Sequence, residues 1–126
     1  MYSRSHNCGE LRKSDNTKEV FLNGWVDKVR LHGKIVFIDL RDRYGKTQIV
    51  FDLDHFHGVF DEVKKLSMED VLSIKGKVRF RADTAVNLKI KTGKIEVLVD
   101  NYILLNKAST LPFVLSDREK SEEDLR

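Results

Sequence analysis

Cysteine occurs once in this chain, at Cys8, so no disulfide can form within it and a reducing cytosol is the expected setting. The seven glycines stand singly, which leaves no Walker-type or dinucleotide-type loop to cradle a phosphate. No stretch approaches the ~20 uninterrupted apolar residues of a membrane-spanning helix. The opening MYSRSHNCGELRKS lacks the apolar core of a signal peptide. Internal repeats and low-complexity tracts are missing too. The surplus of positive charge is thin, 23 Lys+Arg against 20 Asp+Glu, and by itself points to no partner. What the chain does have is apolar segments recurring from Val20 to Leu105, within 126 residues that are 40% hydrophobic and 34% charged. That excludes disorder throughout. It predicts one domain able to bury about two-thirds of its unfolded surface.

The charge is unevenly spread. Lys28 to Lys46 carries six basic residues against two acidic ones, and Lys75 to Lys94 carries seven against Asp83 alone. Between them, Asp52 to Asp70 holds six acids and two lysines, and the tail from Ser116 is acidic. Two basic blocks suit a polyanion if the fold brings them together; otherwise they simply solvate outward faces.

Residues 19–30 (EVFLNGWVDKVR) are rich in β-branched and aromatic residues and read as a first strand. A turn at Leu31-His32-Gly33-Lys34 leads to a second strand, Ile35 to Arg41, with Val36, Ile38 and Leu40 on one face. Arg43-Tyr44-Gly45-Lys46 turns into a third, Thr47 to Phe51, where Gln48 and Val50 take the outward positions. The period then changes: Phe56, Val59, Phe60, Val63 and Leu66 form a helical stripe, with Asp54 as N-cap. Alternation returns from Val71 to Arg81. A polar connection, with a ragged hairpin through Leu88-Lys89-Ile90-Lys91, precedes a fifth strand from Ile95 to about Leu105. Trp25 and Phe80 are expected in the core.

This order predicts an all-β fold with one helix: a five-stranded OB-fold barrel, the helix lying between strands three and four. An antiparallel sandwich is the alternative, and the single mid-chain helix favours the barrel. Ligands of that fold lie across strands two and three, flanked by the loops joining strands one to two and four to five. Those regions coincide with the two basic blocks.

Phe37 points away from Val36, Ile38 and Leu40, with cations nearby. An exposed aromatic in that setting stacks on an unpaired base, worth about 1–3 kcal/mol; the competing account packs it beneath a loop as satellite core. Gln48 offers an amide suited to a base edge, or is an ordinary surface amide. Arg30, Arg79 and Arg81 present planar forks for phosphate or base edges, while Lys28, Lys75 and Lys77 act as point charges. Single-stranded nucleic acid fits such a face better than a duplex groove.

Other signals carry less. In His55-Phe56-His57, residues two apart on a helix do not share a face, which argues against a metal site despite Asp52 and Asp54 nearby. His6 and Cys8 lack the second cysteine pair of a zinc knuckle. No catalytic constellation and no metal site is predicted.

Several segments carry a specific resemblance: Gly24-Trp25-Val26, Phe37-Ile38-Asp39-Leu40-Arg41-Asp42-Arg43-Tyr44-Gly45, Thr47-Gln48-Ile49-Val50-Phe51-Asp52, Gly76-Lys77-Val78-Arg79 and Thr92-Gly93-Lys94-Ile95-Glu96-Val97. With the opening His6-Asn7-Cys8-Gly9-Glu10-Leu11-Arg12, they resemble the N-terminal domain of bacterial-type aspartyl-tRNA synthetases. Lysyl and asparaginyl synthetases have related barrels that match Phe37 to Asp52 less well. The resemblance implies an anticodon-binding domain over 1–110. Leu111-Pro112-Phe113 and Ser121-Glu122-Glu123 look like that family's linker, so 111–126 would lead toward a class II catalytic domain.

By the same resemblance, Phe37 matches the aromatic that stacks on the anticodon, and Gln48 the amide that recognises its middle uridine. Arg30, Arg79 and Arg81 match basic positions around the anticodon loop, and Lys28 and Lys77 stand beside them. The run Lys28-Val29-Arg30-Leu31-His32-Gly33 departs from the family's arginine-rich pattern at Val29 and Leu31. His32 occupies a position associated with tolerance of tRNA(Asn) as well as tRNA(Asp). The implied parent is a cytoplasmic, homodimeric ligase using ATP and magnesium, with neither bound by this region, which alone would be a monomer. Two other classes remain: a free-standing single-strand binder, and a small enzyme or protein-interaction barrel.

Overall fold

The computed structural model describes residues 1–108; the predicted linker at 111–126 lies outside the described residues. Its strands are β1 (Glu19–His32), β2 (Ile35–Asp42), β3 (Gly45–Asp52), β4 (Val71–Phe80) and β5 (Ile95–Asn106), and the helix α1 (Phe60–Val63) falls between β3 and β4. They close into a barrel in the order β1-β2-β3-β5-β4. Closure decides against the sandwich. β1 pairs with β4 on one side, and β3 meets β5 in parallel at Ile49↔Val97 and Val50↔Leu98.

β1 belongs to both halves of the barrel. Glu19 to Trp25 pairs with β4, and Trp25 to His32 with β2. The β1–β2 register slips between Val26 and Lys28, leaving Asp27 as an extra residue. Such a bulge bends the strand and switches which face successive residues take. Val20, Leu22 and Val26 point inward ahead of it, and Lys28 and Arg30 point outward behind it. The interior is filled by alternate residues of every strand, among them Val36, Ile38 and Leu40 of β2, Ile49 and Phe51 of β3, Leu72 and Ile74 of β4, and Val97 and Val99 of β5, all fully buried. Gly33, at φ 61°, makes the tight β1–β2 turn that only glycine adopts without strain.

The N-terminal segment is a structural part of the barrel. Cys8 and Leu11 are buried in the core, the Cys8 N–H donates to Asp42 at 2.8 Å, and Thr47 Oγ1 donates to the Cys8 carbonyl at 2.7 Å. Burial, with the Asp42 carboxylate next, pushes the Cys8 thiol far above its usual range, so this cysteine is a packing residue. Farther back, the Tyr2 N–H donates to Ser73 Oγ at 3.0 Å, which is why outward-phase Ser73 is fully buried.

Five sequence expectations need correction. The helix spans only Phe60–Val63, and Val59, extended at φ −82°, ψ 103°, takes the N-cap position expected of Asp54. Phe56 is the cause. Its ring packs edge-on to Phe51, 5.3 Å between centroids, and the chain folds back so closely that a Cβ on Gly58 would lie 2.5 Å from that ring. Trp25 is half-buried on the outer face beneath Arg41, 5.2 Å from its ring, because alternation with Val26 forces it outward. Phe80 is 51% exposed, standing where β4 runs past the closed core. Residues 82–94 hold no hairpin: they form a short 3-10 turn (Asp83–Ala85) and a loop fastened by Asn87 N–H to the Gly93 carbonyl at 2.9 Å.

β5 passes close to Gly76 of β4, where an added Cβ would clash with the Leu98 carbonyl oxygen. Gly76→Ala is expected to lower stability by about 1–3 kcal/mol through overpacking. Urea unfolding should show a lower midpoint at unchanged slope; an unaltered midpoint would refute the close approach.

Candidate nucleic-acid interface

The bulge in β1 and the β3–β5 closure together assemble the site. Arg30 of β1 lies opposite Phe37 of β2, and Asp39 of β2 opposite Gln48 of β3. Arg79 of β4 lies opposite Glu96 of β5. Arg30, Gln48, Arg79 and Glu96, from four strands, meet in one hydrogen-bonded cluster, with Asp39 and Phe37 of β2 beside Arg30.

Gln48 is its centre and only 4% exposed. Its Oε1 accepts from Arg30 Nη2 at 2.8 Å and from Arg81 Nη1 at 3.5 Å, and its Nε2 donates to Glu96 Oε1 at 2.8 Å. Glu96 Oε2 accepts from Arg79 Nε at 2.7 Å. Guanidinium groups can only donate and a carboxylate can only accept, so this arrangement fixes which end of the amide faces which partner. The second Nε2–H makes no hydrogen bond among the described residues. A ligand acceptor can therefore take that N–H directly, whereas a ligand donor must displace an arginine from Oε1.

Arg81 is buried, its Nε donating to the Ile95 carbonyl at 2.9 Å and its Nη1 to the Ala85 carbonyl at 3.2 Å. Burial lowers its pKa and the Arg30 charge adds to that, while Glu96 and Asp39 oppose it. Starting from the highest basicity of any side chain, it stays charged. Arg30 also pairs with Asp39 at 3.7 Å. The three arginines thus face two carboxylates, and the cluster keeps a net positive charge, with Arg81 buried and Arg30 and Arg79 open to solvent along part of their length.

Phe37 is half-buried and lies outside the apolar core; the Arg30 guanidinium carbon stands 5.9 Å from its ring centroid. The cation braces the ring from one side, as cation–π attraction allows. Phe37 faces outward on β2, diagonal to Gln48 across the β2–β3 ladder.

Other basic residues of the two blocks differ in their partners. Lys34, Arg41, Lys46 and Lys75 each have an acidic partner, with Asp27 holding both Arg41 at 3.4 Å and Lys46 at 3.6 Å. Lys28 and Lys77 are exposed and make no ion pair among the described residues. His32 is exposed at the end of β1, beyond the cluster. His55 hydrogen-bonds Asp100 at 2.6 Å, and no group of three or more potential metal ligands exists among the described residues. Sequence reasoning missed Glu96 as a site residue. Its one signal was a carboxylate inside the apolar run Ile95-Glu96-Val97.

The chain is similar to known proteins along nearly its whole length. The model of one protein family, described as an OB-fold nucleic acid binding domain, matches residues 20–105. The chain is 47% identical over 128 residues to an aspartate–tRNA(Asp/Asn) ligase of Salinibacter ruber, and 48% identical over 126 residues to one of Prochlorococcus marinus. Each alignment covers 98% of this chain, which spans about a fifth of those relatives' length. Among solved structures, asparaginyl-tRNA synthetase of Pyrococcus horikoshii superposes with a TM-score of 0.72 at 27% identity, over 89% of this chain and 24% of that one.

Proposed function

Since this chain belongs to the OB-fold nucleic acid binding domain family, we propose that its Phe37–Gln48 face reads the anticodon of tRNA(Asp) for an aspartate–tRNA ligase. The observation that carries the reading is Gln48, an amide held rigid by two arginines and a glutamate with one N–H left over, next to an outward aromatic ring. Rigid placement lets a single polar group discriminate among bases, because a wrong base cannot be met by a shift of the side chain. Phe37 supplies sequence-tolerant stacking and Gln48 the reading of the middle base's edge. Lys28 and Lys77 are free to meet phosphates, and each such contact steepens the salt dependence of binding. Arg30, Arg79 and Arg81 orient the amide and supply positive charge.

On this reading the parent ligase joins aspartate to tRNA(Asp) at the expense of ATP with magnesium, as a cytoplasmic homodimer. On the same reading, ATP and magnesium are held by the parent's class II catalytic domain. The isolated domain is a monomer. His32 at the rim extends the range to tRNA(Asn).

The test is a titration of the chain with the tRNA(Asp) anticodon stem-loop and with a variant changed at the middle base, at matched salt. A change costing about 1–3 kcal/mol supports base reading; equal affinity would leave an unselective single-strand binder. Phe37→Ala is expected to weaken binding of the parent stem-loop by about 1–3 kcal/mol while the domain stays folded, since the ring lies outside the core. Unchanged affinity in a folded variant would remove Phe37 from the interface.

A further inference from the structure

Phe80 is a large apolar ring left 51% exposed at the end of β4, in a protein whose other core-phase strand residues near it are fully buried. Lys13 stands over it, its Nζ 5.9 Å from the ring centroid. The ring opens onto a cleft of about 350 Å³ that Lys13, Arg81, Val86 and Lys94 also line, with Asp83 the one acid. Arg81 reaches both regions: it borders this cleft and its Nη1 lies 3.5 Å from Gln48 Oε1. We infer that the Phe80 cleft is a second nucleotide-binding subsite, in which an unpaired loop base flanking the anticodon stacks on the Phe80 ring while Lys13 and Lys94 hold its phosphates. The inference rests on the proposed nucleic-acid reading and extends it to a surface outside the Phe37–Gln48 cluster.

Three features favour a nucleotide over an apolar partner. Cations outnumber acids three to one around the ring, which suits a polyanion and penalises a neutral apolar surface by desolvation. A planar ring beneath a lysine is the combination that single-strand binders use, with stacking for the base and charge for the backbone. The cleft and the proposed interface also share one side chain, since Arg81 borders the first and hydrogen-bonds Gln48 in the second.

The test uses the whole 126-residue chain and a fluorescently labelled tRNA(Asp) anticodon stem-loop, with a series in which one loop nucleotide at a time is made abasic. Phe80→Ala is expected to weaken binding about 5- to 50-fold, Phe80→Trp to restore it, and one abasic position outside the three anticodon bases to erase the difference between Phe80→Ala and the parent. Thermal melts confirm that each variant is folded. If Phe80→Ala binds as the parent does while Phe37→Ala is weakened, the second subsite is wrong and the anticodon reading stands. If Phe80→Ala is weakened but no abasic position erases the loss, Phe80 acts without stacking a base and the inference also fails. If the chain binds no stem-loop in a salt-dependent way, both readings fall.

Discussion

Truncating Glu96 to alanine is expected to destabilise the domain by about 3–5 kcal/mol, the cost of removing one member of a buried, hydrogen-bonded charge cluster. Glu96 is 7% exposed and accepts from both Arg79 and Gln48. Without it, Arg81 loses the larger of the two negative charges that offset its burial. Gln48 loses the acceptor that orients its amide. Two readouts should move together: the thermal midpoint, by more than about 10 °C for a domain of this size, and the selectivity for the middle base. Glu96→Gln keeps the shape but only one acceptor oxygen and no charge, turning an NH2 toward Gln48 or Arg79, so it should recover only a minor part of the stability. If Glu96→Ala melts like the parent, the cluster contributes nothing and the account of Gln48 as a rigid reader is wrong.

Asp70 is the second large effect, far from the binding face. It is fully buried where the chain enters β4 and accepts from the Ala108 N–H at 2.7 Å, the Ser67 N–H at 2.9 Å and Lys107 Nζ at 2.9 Å. Burial alone would raise its pKa, but the Ala108 and Ser67 amides and Lys107 together hold it below the usual carboxylate range. A carboxyl depressed in the folded state stabilises it at every pH above the unfolded value, near 3.8. That contribution drains away as pH falls through the lower, folded value. Asp70→Ala should therefore cost about 2–4 kcal/mol at neutral pH, mostly through amide donors left without an acceptor. Below pH 4 the parent should lose stability toward the variant's level. Parallel stability curves for the two proteins down to pH 2 would refute the assignment.

The strands and turns were legible because they are local. Alternation in Ile35–Asp42, the glycine at 33 and the period change after Phe51 each report on a few neighbouring residues. The errors came from contacts that no local pattern records. The helix is cut short because Phe56 is drawn into an aromatic group with Phe51 and with Tyr102 of β5, 46 residues away in the numbering. Trp25 and Phe80 depart from the expected core for different reasons. Trp25 alternates with buried Val26, so its ring lies on the outer face although tryptophan is usually well buried. Phe80 keeps the inward phase, but β4 has by then outrun the barrel it lines. Phe37, Gln48, Arg30, Arg79 and Arg81 were found as separate candidates. That the amide and arginines form one hydrogen-bonded cluster depends on β3 meeting β5 in parallel, a pairing between segments nearly fifty residues apart.

That parallel pairing spans just two residue pairs, Ile49↔Val97 and Val50↔Leu98, against seven or more in each antiparallel ladder. It is the weakest stitch in the wall, and the side-chain bond from Gln48 to Glu96 crosses it one residue before the backbone pairs begin. Native-state hydrogen exchange should find the amides bridging β3 and β5 among the first of the barrel to open. An RNA that engages Gln48 without breaking its bond to Glu96 would slow that opening, fastening the cylinder at the place where it reads its ligand.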